Sequence, residues 1–480
     1  VAEPQDRIST GVPGLDRVLR GGYPDGRIML IEGAPGTGKT TLALHFLVAG
    51  AAAGKRALFV SVAQSRPELE MIASSHGLDI SGIEVFTPEL GAGERTFSVE
   101  SDEADLVKLM EGVGEVLETS EADIFVFDSL LELRMLASAD SVYRRELLML
   151  RRQLRERGCT SMLIDHLEQA EGQRNAEGVV HGVIKLDAVT PPIGVTQRRL
   201  TVVKLRGAPF KEGWHDFRIA TGGIEVFPRV IPEEAEPADL EERLEPPHEP
   251  LARLLGGGLE FGTTTLVSGQ SGSGKSTIAT LLARAAADRG VPAAMFLFEE
   301  RPEVLRNRSR GVGLDIVPQE EAGRLNLHHF DPAEVSPGEF ANAVLGAVDE
   351  GARLVVIDSL SGYFEALPDR RHVMTHMQAL LQHLTRREVL VIITLSQHGL
   401  LGEPPTTSID TSFLADSIIL LRQYESRAEI RRSIAVLKKR HSEHERNIEQ
   451  LIIRTGGVEI IPLSEEAEER ARYASELSAE

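Results

Sequence analysis

The 480-residue chain is 42% hydrophobic, contains 44 glycines and carries a formal net charge of −21. That length exceeds what one hydrophobic core ordinarily supports, so two α/β domains of about 230 residues each are expected. The acidic balance, with no block of Lys and Arg to offset it, speaks against nucleic acid as a partner, and no apolar run is long enough to cross a membrane.

The opening Val1-Ala-Glu-Pro-Gln-Asp-Arg7 lacks the basic and apolar regions of a signal peptide, and the single Cys159 can form no internal disulfide, so a reducing cytoplasm is the expected compartment. The apolar run Arg27-Ile-Met-Leu-Ile31 leads into Gly33-Ala-Pro-Gly-Thr-Gly-Lys-Thr40, and Leu42 to Val48 continues as a helix. Strand, glycine loop and helix in that order form the context of a phosphate-binding loop. Gly33, Gly36 and Gly38 let successive N–H groups turn toward one anion at the helix N-terminus. Lys39 then reaches the β- and γ-phosphates of ATP, Thr40 offers its hydroxyl to Mg²⁺, and Thr37 and Thr41 complete the cradle.

Farther on, Ala57-Leu-Phe-Val60, Ile124-Phe-Val-Phe127, Ser161-Met-Leu-Ile164 and Val183-Ile-Lys-Leu186 read as buried strands. Leu200 to Arg206 and Phe217 to Val226 read as an antiparallel strand pair. Residues 231–250, rich in Glu and Pro, are expected to link a first domain over 1–230 to a second over 251–463. The second repeats the first: Thr263 to Ser268 is a strand, Gly269-Gln-Ser-Gly-Ser-Gly-Lys-Ser-Thr277 a loop, Ile278 to Ala287 a helix. Here Gly272, Ser273, Gly274, Lys275, Ser276 and Thr277 hold the nucleotide, with Ser276 on the metal. Ala294-Met-Phe-Leu297, Leu354-Val-Val-Ile357, Leu390-Val-Ile-Ile393 and Ile418-Ile-Leu-Leu421 supply the strands, and Ser433 to Arg440 with Gln450 to Ile460 the antiparallel addition. Residues 464–480 form a short acidic tail.

The copies share an offset of 236 residues across Leu15 and Leu251, Gly33 and Gly269, and Gly77-Leu-Asp-Ile80 and Gly313-Leu-Asp-Ile316. Strands alternating with helices give a mostly parallel twisted sheet covered on both faces, with ligands outside the strands' carboxyl ends. Asp128 and Asp358 each end such a strand, followed by Ser-Leu, and can hold Mg²⁺ through its water shell. The copies part where hydrolysis is driven. After Phe298 come Glu299 and Glu300, either of which can take a proton from attacking water; the first copy has Ala63 and Gln64 there and no acid before Glu68. The first site is therefore expected to hold ATP and turn it over poorly.

Together, Ser9-Thr-Gly-Val-Pro-Gly-Leu-Asp16, both loops, Phe298-Glu-Glu300, both Asp-Ser-Leu endings, Arg144-Arg-Glu-Leu147 and Lys204-Leu-Arg206 resemble the KaiC family, tandem RecA-like ATPases that include the circadian clock protein, over residues 7–463. The resemblance implies a homohexameric double ring with ATP between subunits, in which Lys204, Arg206, Lys438 and Arg440 reach the neighbour's nucleotide, and a KaiB-like regulatory partner. It also implies Ser/Thr autophosphorylation in the second copy. The family's Ser acceptor aligns with Ser412, while its Thr acceptor is replaced by Phe413, leaving Thr411 one position earlier. Two departures stand out. Pro247-His-Glu-Pro-Leu-Ala252 has lost the entry motif of the first copy, and the tail beyond Leu463 is too short to favour a KaiA-type activator. An ATP-dependent signalling or timing ATPase is the leading reading. A nucleotide-gated scaffold with incidental turnover is the alternative, and a DNA-dependent ATPase of RecA type ranks below both because of the charge.

Overall fold

The computed structural model describes residues 6–88, 99–166, 175–191, 194–232, 240–366, 370–397, 412–426 and 429–463. The chain divides into two compact units, Val1–Arg229 and Val230–Glu480. Thr411 and the tail 464–480 lie outside the described residues.

Each unit is built on a nine-stranded sheet. In the first, the strand order is Gly223–Phe227, Trp214–Ala220, Gln197–Leu205, Gly182–Val189, Ile28–Gly33, Thr160–His166, Ile124–Asp128, Ala57–Ser61 and Ile83–Phe86. From Gly182–Val189 onward all neighbours are parallel, and the other three strands are added antiparallel. The second unit repeats the order: Gly457–Pro462, Glu449–Arg454, Glu429–Lys439, Ser417–Ser426, Thr264–Gly269, Leu390–Ser396, Leu354–Asp358, Ala293–Leu297 and Leu325–His329. These are tandem RecA-like α/β domains.

The strands read as apolar runs because both faces of the sheet are covered. Met29 and Ile31 join Leu42 and Phe46 of helix Lys39–Ala52 in one core, while Ile28 and Leu30 meet Leu147 and Leu150 of helix Asp140–Glu156 in the other. Likewise Met295 and Leu297 pack on Ile278 and Leu282, and Phe296 on Phe340 and Leu380.

Two strands are added and two expectations change. The edge strands Ile83–Phe86 and Leu325–His329 carry polar residues on their outer side and give little periodic signal. The stretches expected as single strands at Phe217–Val226 and Gln450–Ile460 are hairpins, Trp214–Ala220 with Gly223–Phe227 and Glu449–Arg454 with Gly457–Pro462. The first turns through Gly222 and Gly223 at φ 103° and 93°, a region that favours glycine. Finally, part of the stretch expected as a linker carries regular structure. Val230 is buried in a core of the second unit, and Arg243–Leu244 pairs antiparallel with Leu259–Glu260, with helix Glu249–Leu254 between them in the chain. This matches the first unit's Arg7–Ile8 and Tyr23–Pro24 hairpin and helix Pro13–Val18, so the entry element survives where its sequence motif does not.

His181 ties the loop strand to its neighbours. Its Nδ1 accepts the Ile28 N–H at 3.1 Å, and its backbone N–H and carbonyl bond Ile28 and Arg206. Burial, with Arg27, Arg151, Arg206 and Arg155 nearby, pushes the imidazole down to about 4 from 6.5. Between those values the unfolded chain binds the extra proton, so stability present at neutral pH is lost as pH falls through this window. The urea midpoint followed by circular dichroism is expected to drop from pH 7 to pH 5, and to drop less in His181→Gln.

Candidate active site

At the end of strand Ile28–Gly33 the chain cannot carry a side chain. A Cβ on Gly33 would lie 2.9 Å from the Leu186 carbonyl oxygen, and one on Gly269 would lie 2.4 Å from that of Leu421. Both loops then enter left-handed backbone at Gly36 and Gly38 (φ 78° and 97°) and at Gly272 and Gly274 (φ 75° and 105°), before helices Lys39–Ala52 and Lys275–Asp288 begin. Thr37 is buried and donates to the Ala34 carbonyl at 2.8 Å, and Ser273 occupies the same buried position in the second loop. Thr41 and Thr277 sit buried on the first turn.

The loop lysines are folded inward. Lys39 Nζ donates to the carbonyls of Gly33 (2.7 Å) and Ala34 (2.9 Å), and Lys275 Nζ to that of Gln270 (2.9 Å). Burial lowers both pKa values. Asp128 and Asp165 pull back on Lys39, and Asp358 and Glu299 on Lys275. A cation whose direct bonds go to carbonyls, with carboxylates only partly offsetting its burial, gains from an anion brought among the loop's N–H groups.

Beside each loop stands the expected hydroxyl and carboxylate. Thr40 Oγ1 donates to Asp128 Oδ2 at 2.7 Å, and Ser276 hydrogen-bonds Asp358, which also accepts from Thr394. Burial pushes Asp128 up to about 6, and it raises Asp358 as well. Among the described residues no group of three or more His, Cys, Asp or Glu could hold a metal. One hydroxyl, one carboxylate and the phosphates of a nucleotide form the oxygen set that suits a partly hydrated Mg²⁺.

The second loop opens on a cleft of about 780 Å³. Glu299 and Glu300 both line it but are differently employed. Phe298, buried with its ring 5.1 Å from Phe340 and 5.0 Å from Tyr363, fixes the strand end that carries them. Glu299 accepts from Ser359 and lies against Gly362, where a Cβ would come within 3.2 Å of its carboxylate oxygen. Glu300 is gripped by Arg308, through Nε at 3.0 Å and Nη2 at 2.8 Å, while Arg308 Nη1 donates to Thr277 at 3.1 Å. A bidentate guanidinium neutralises the carboxylate it holds, so the geometry separates two acids that the sequence left equivalent. Arg308 was not legible as a site residue, because it stands eight positions after Glu300 on helix Pro302–Gly311. Neither was Arg432, whose Nε donates to the Gly272 carbonyl at 3.0 Å from an antiparallel strand.

In the first unit the matching positions are Ala63 and Gln64, and Ile72 stands where Arg308 does. Glu68, the next acid, caps helix Arg66–Ser75 by accepting from the Ser65 N–H and hydroxyl, both at 2.7 Å, and is committed there. The strand between loop and aspartate ends in His166, with Nδ1 3.5 Å from Lys39 Nζ, whereas the second ends in Ser396. Only strand order reveals that position.

The four expected trans cations make contacts on their own strands' surroundings. Lys204 donates to the Glu177 carbonyl, Arg206 to that of Gly178 at 3.5 Å and Lys438 to that of Ala415 at 2.8 Å, and Arg440 pairs with Asp416 at 3.5 Å. The residue between each pair points inward. Leu205 is in the apolar core, whereas Lys439 is buried on Glu260 at 2.9 Å and on two carbonyls. Ser412 opens a short 3₁₀ turn, Ser412–Leu414.

A family model described as "ATPase: KaiC" matches residues 8–231 and 249–465. The circadian clock protein KaiC3 of Synechocystis is 29% identical over 469 residues, covering 95% of this chain and 92% of its own length. The circadian clock oscillator protein KaiC of Picosynechococcus is 26% identical (95% and 89% covered), and KaiC2 of Synechocystis 27% identical (95% and 81%).

With phosphate release at saturating Mg-ATP as the readout, Glu299→Gln is expected to lower turnover about 10²- to 10⁴-fold. Glu300→Gln, which removes a carboxylate already neutralised, is expected to lower it far less.

Proposed function

The chain belongs to the KaiC family of ATPases, and from that premise we propose that it is a two-site ATPase of signalling or timing type, in which the second unit hydrolyses ATP and the first holds it. The observation that carries this reading is Glu299, bonded to Ser359 and in no ion pair among the described residues, on the wall of the second cleft, against Ala63 in the first unit.

In the second site the N–H groups of Gly272 to Ser276 and the Lys275 ammonium take the β- and γ-phosphates. Ser276, with Asp358 acting through a water shell, would hold Mg²⁺, which would supply positive charge against those phosphates. Ser359 orients Glu299, which takes the proton of the attacking water. Asp358, buried and bonded to Thr394, stays fixed at the strand end. In the first site Lys39, Thr40 and Asp128 bind in the same way, but with no base placed on the water the nucleotide serves as a tether. That unit suits the nucleotide-gated assembly reading.

The finer roles follow from the family rather than from the geometry. ATP sits between subunits of a homohexamer, Lys204, Arg206, Lys438 and Arg440 each reach the neighbour's phosphates, and a KaiB-like protein reads the nucleotide state in the cytoplasm. Cations on a neighbour's strand fit the chemistry, since they offset charge that develops during transfer. The second unit also phosphorylates itself at Ser412 or Thr411. The relatives' printed names concern circadian clocks, and a timing role is the corresponding proposal for this chain.

Lys275→Ala is expected to remove nearly all phosphate release while Lys39→Ala retains most of it and loses the size increase on adding Mg-ATP, measured by light scattering. Loss of nearly all turnover in Lys39→Ala would overturn the assignment of units. After incubation with Mg-ATP, mass spectrometry is expected to find a phosphopeptide within 401–421 in the wild type and none in Lys275→Ala; an unmodified peptide in the wild type sinks the autokinase role.

A further inference from the structure

The entry element of each unit lies against the helix that follows the phosphate loop and against the last hairpin, and the two copies fit there differently. In the first unit the fit depends on glycine. A Cβ on Gly11 would lie 2.2 Å from the His45 carbonyl oxygen, and one on Gly14 would lie 1.8 Å from that of Val226. The His45 ring then closes the contact, accepting the Ile224 N–H on Nε2 at 2.9 Å and bonding the Gly11 backbone. The 236-residue offset places Pro247, Pro250 and Leu281 at these three positions in the second unit. Each proline carries the Cβ that those distances exclude, so the second entry segment has to stand farther from both neighbours. Leu281 has no polar atom with which to bridge them.

Where the close fit is lost, a cleft of about 390 Å³ lies between Pro247 and His248, the helix positions from Leu281 to Asp288, and the hairpin from Gly456 to Glu459. Its volume is in the range of small-molecule sites. It shares no lining residue with the nucleotide cleft, and its helix positions begin six residues beyond Lys275, about 9 Å along the axis. Leu281, Ala285, Leu314 and Val458 are buried and give it an apolar floor. The charges on its rim are already paired. Arg284 donates to the Gly313 carbonyl at 2.9 Å and lies 3.5 Å from Asp288, which accepts from Gln319 at 2.6 Å, and Glu459 is held by Arg454. The His248 ring, half-buried, has no hydrogen bond or ion pair among the described residues. Burial lowers its pKa against the pull of Glu459, so at neutral pH it offers one donor and one acceptor.

We propose that this cleft binds a small uncharged heteroaromatic molecule, its ring on Leu281, Leu314 and Val458 and its polar edge on the His248 imidazole. A charged ligand would give up its hydration without meeting a free counterion, whereas a flat ring covers the apolar floor and satisfies the one unspent polar group. The site does not rest on the turnover reading.

The probe is benzimidazole, uncharged above neutral pH, in equilibrium dialysis against the full chain with saturating Mg-ATP so that the phosphate loops are occupied. Saturable binding near one probe per chain is expected, and benzoate, a ring of similar size bearing a charge, should bind about tenfold or more weakly. Pro247→Gly/Pro250→Gly/Leu281→His, which transplants the first unit's closure, should weaken benzimidazole binding by about tenfold or more with the far-ultraviolet circular dichroism unchanged. His248→Ala should weaken it by a few-fold through the lost hydrogen bond. Absence of saturable binding, or equal affinity in the wild type and both variants, would overturn the proposal. Benzoate binding as tightly as benzimidazole would overturn the assigned class of ligand.

Discussion

Two ammonium groups, Lys39 and Lys275, are buried against the carbonyls of their own loops, and much of each unit exists to keep them there. Burial works against their charge, and the aspartates at the neighbouring strand ends restore part of it. The result is a cation poised among inward-turned N–H groups, a state that a polyphosphate relieves. For that the glycine loop must sit within van der Waals reach of the next strand, which is why Leu186 and Leu421 exclude any Cβ at Gly33 and Gly269. The parallel sheet does the rest by bringing the carboxyl ends of the strands bearing the loop, the aspartate and Glu299 to one edge.

With that constraint satisfied twice, the copies diverge in how they meet the same burial rules. In the second, Thr394 bonds Asp358; in the first the aligned residue is Ile164 and Asp128 relies on Thr40. Next to the loop strand the first unit buries charges, with Glu32 near Lys185 at 3.5 Å and Asp165 bound by Arg134 at 2.5 Å, where the second has Ser268, Leu420 and Leu395. The reverse holds near the sheet's other end, where Lys439 and Glu260 form a buried pair and the first unit has Leu205 and Pro24. There, burial by itself would raise the Glu260 pKa, yet hydrogen bonds from Lys439 and Ser442 hold it below the usual value. Each exchange sets a buried carboxylate against a cation or replaces both with uncharged residues, so one fold tolerates both solutions.

The same logic gives the two clefts different side-chain pairings. Glu299 accepts from one serine, whereas Glu300 is gripped by a guanidinium that also bonds Thr277 beside the loop. In the first unit Ala63 and Gln64 stand at the two positions and offer no carboxylate. Gly11, Gly14 and His45 close the first entry element on its neighbours, whereas Pro247, Pro250 and Leu281 leave an opening. Duplication therefore serves as an internal control, because each position can be compared with one that shares its backbone.

The linear sequence determined the duplication, both phosphate loops, the aspartates and the buried strands, because these depend on glycine placement and apolar runs that repeat locally. It also located the contrast between Glu299–Glu300 and Ala63–Gln64. Tertiary structure alone decided which of the two glutamates is free, since Arg308 reaches Glu300 from a separate helix, and which strand stands between loop and aspartate, since that placed His166 and Ser396. It also showed the entry hairpin of the second unit, which persists through backbone pairing after its side chains have changed. Local patterns record what a residue's neighbours in the chain require. Pairing between distant strands and the reach of a long side chain are set by the packed sheet, and no short window of sequence contains them.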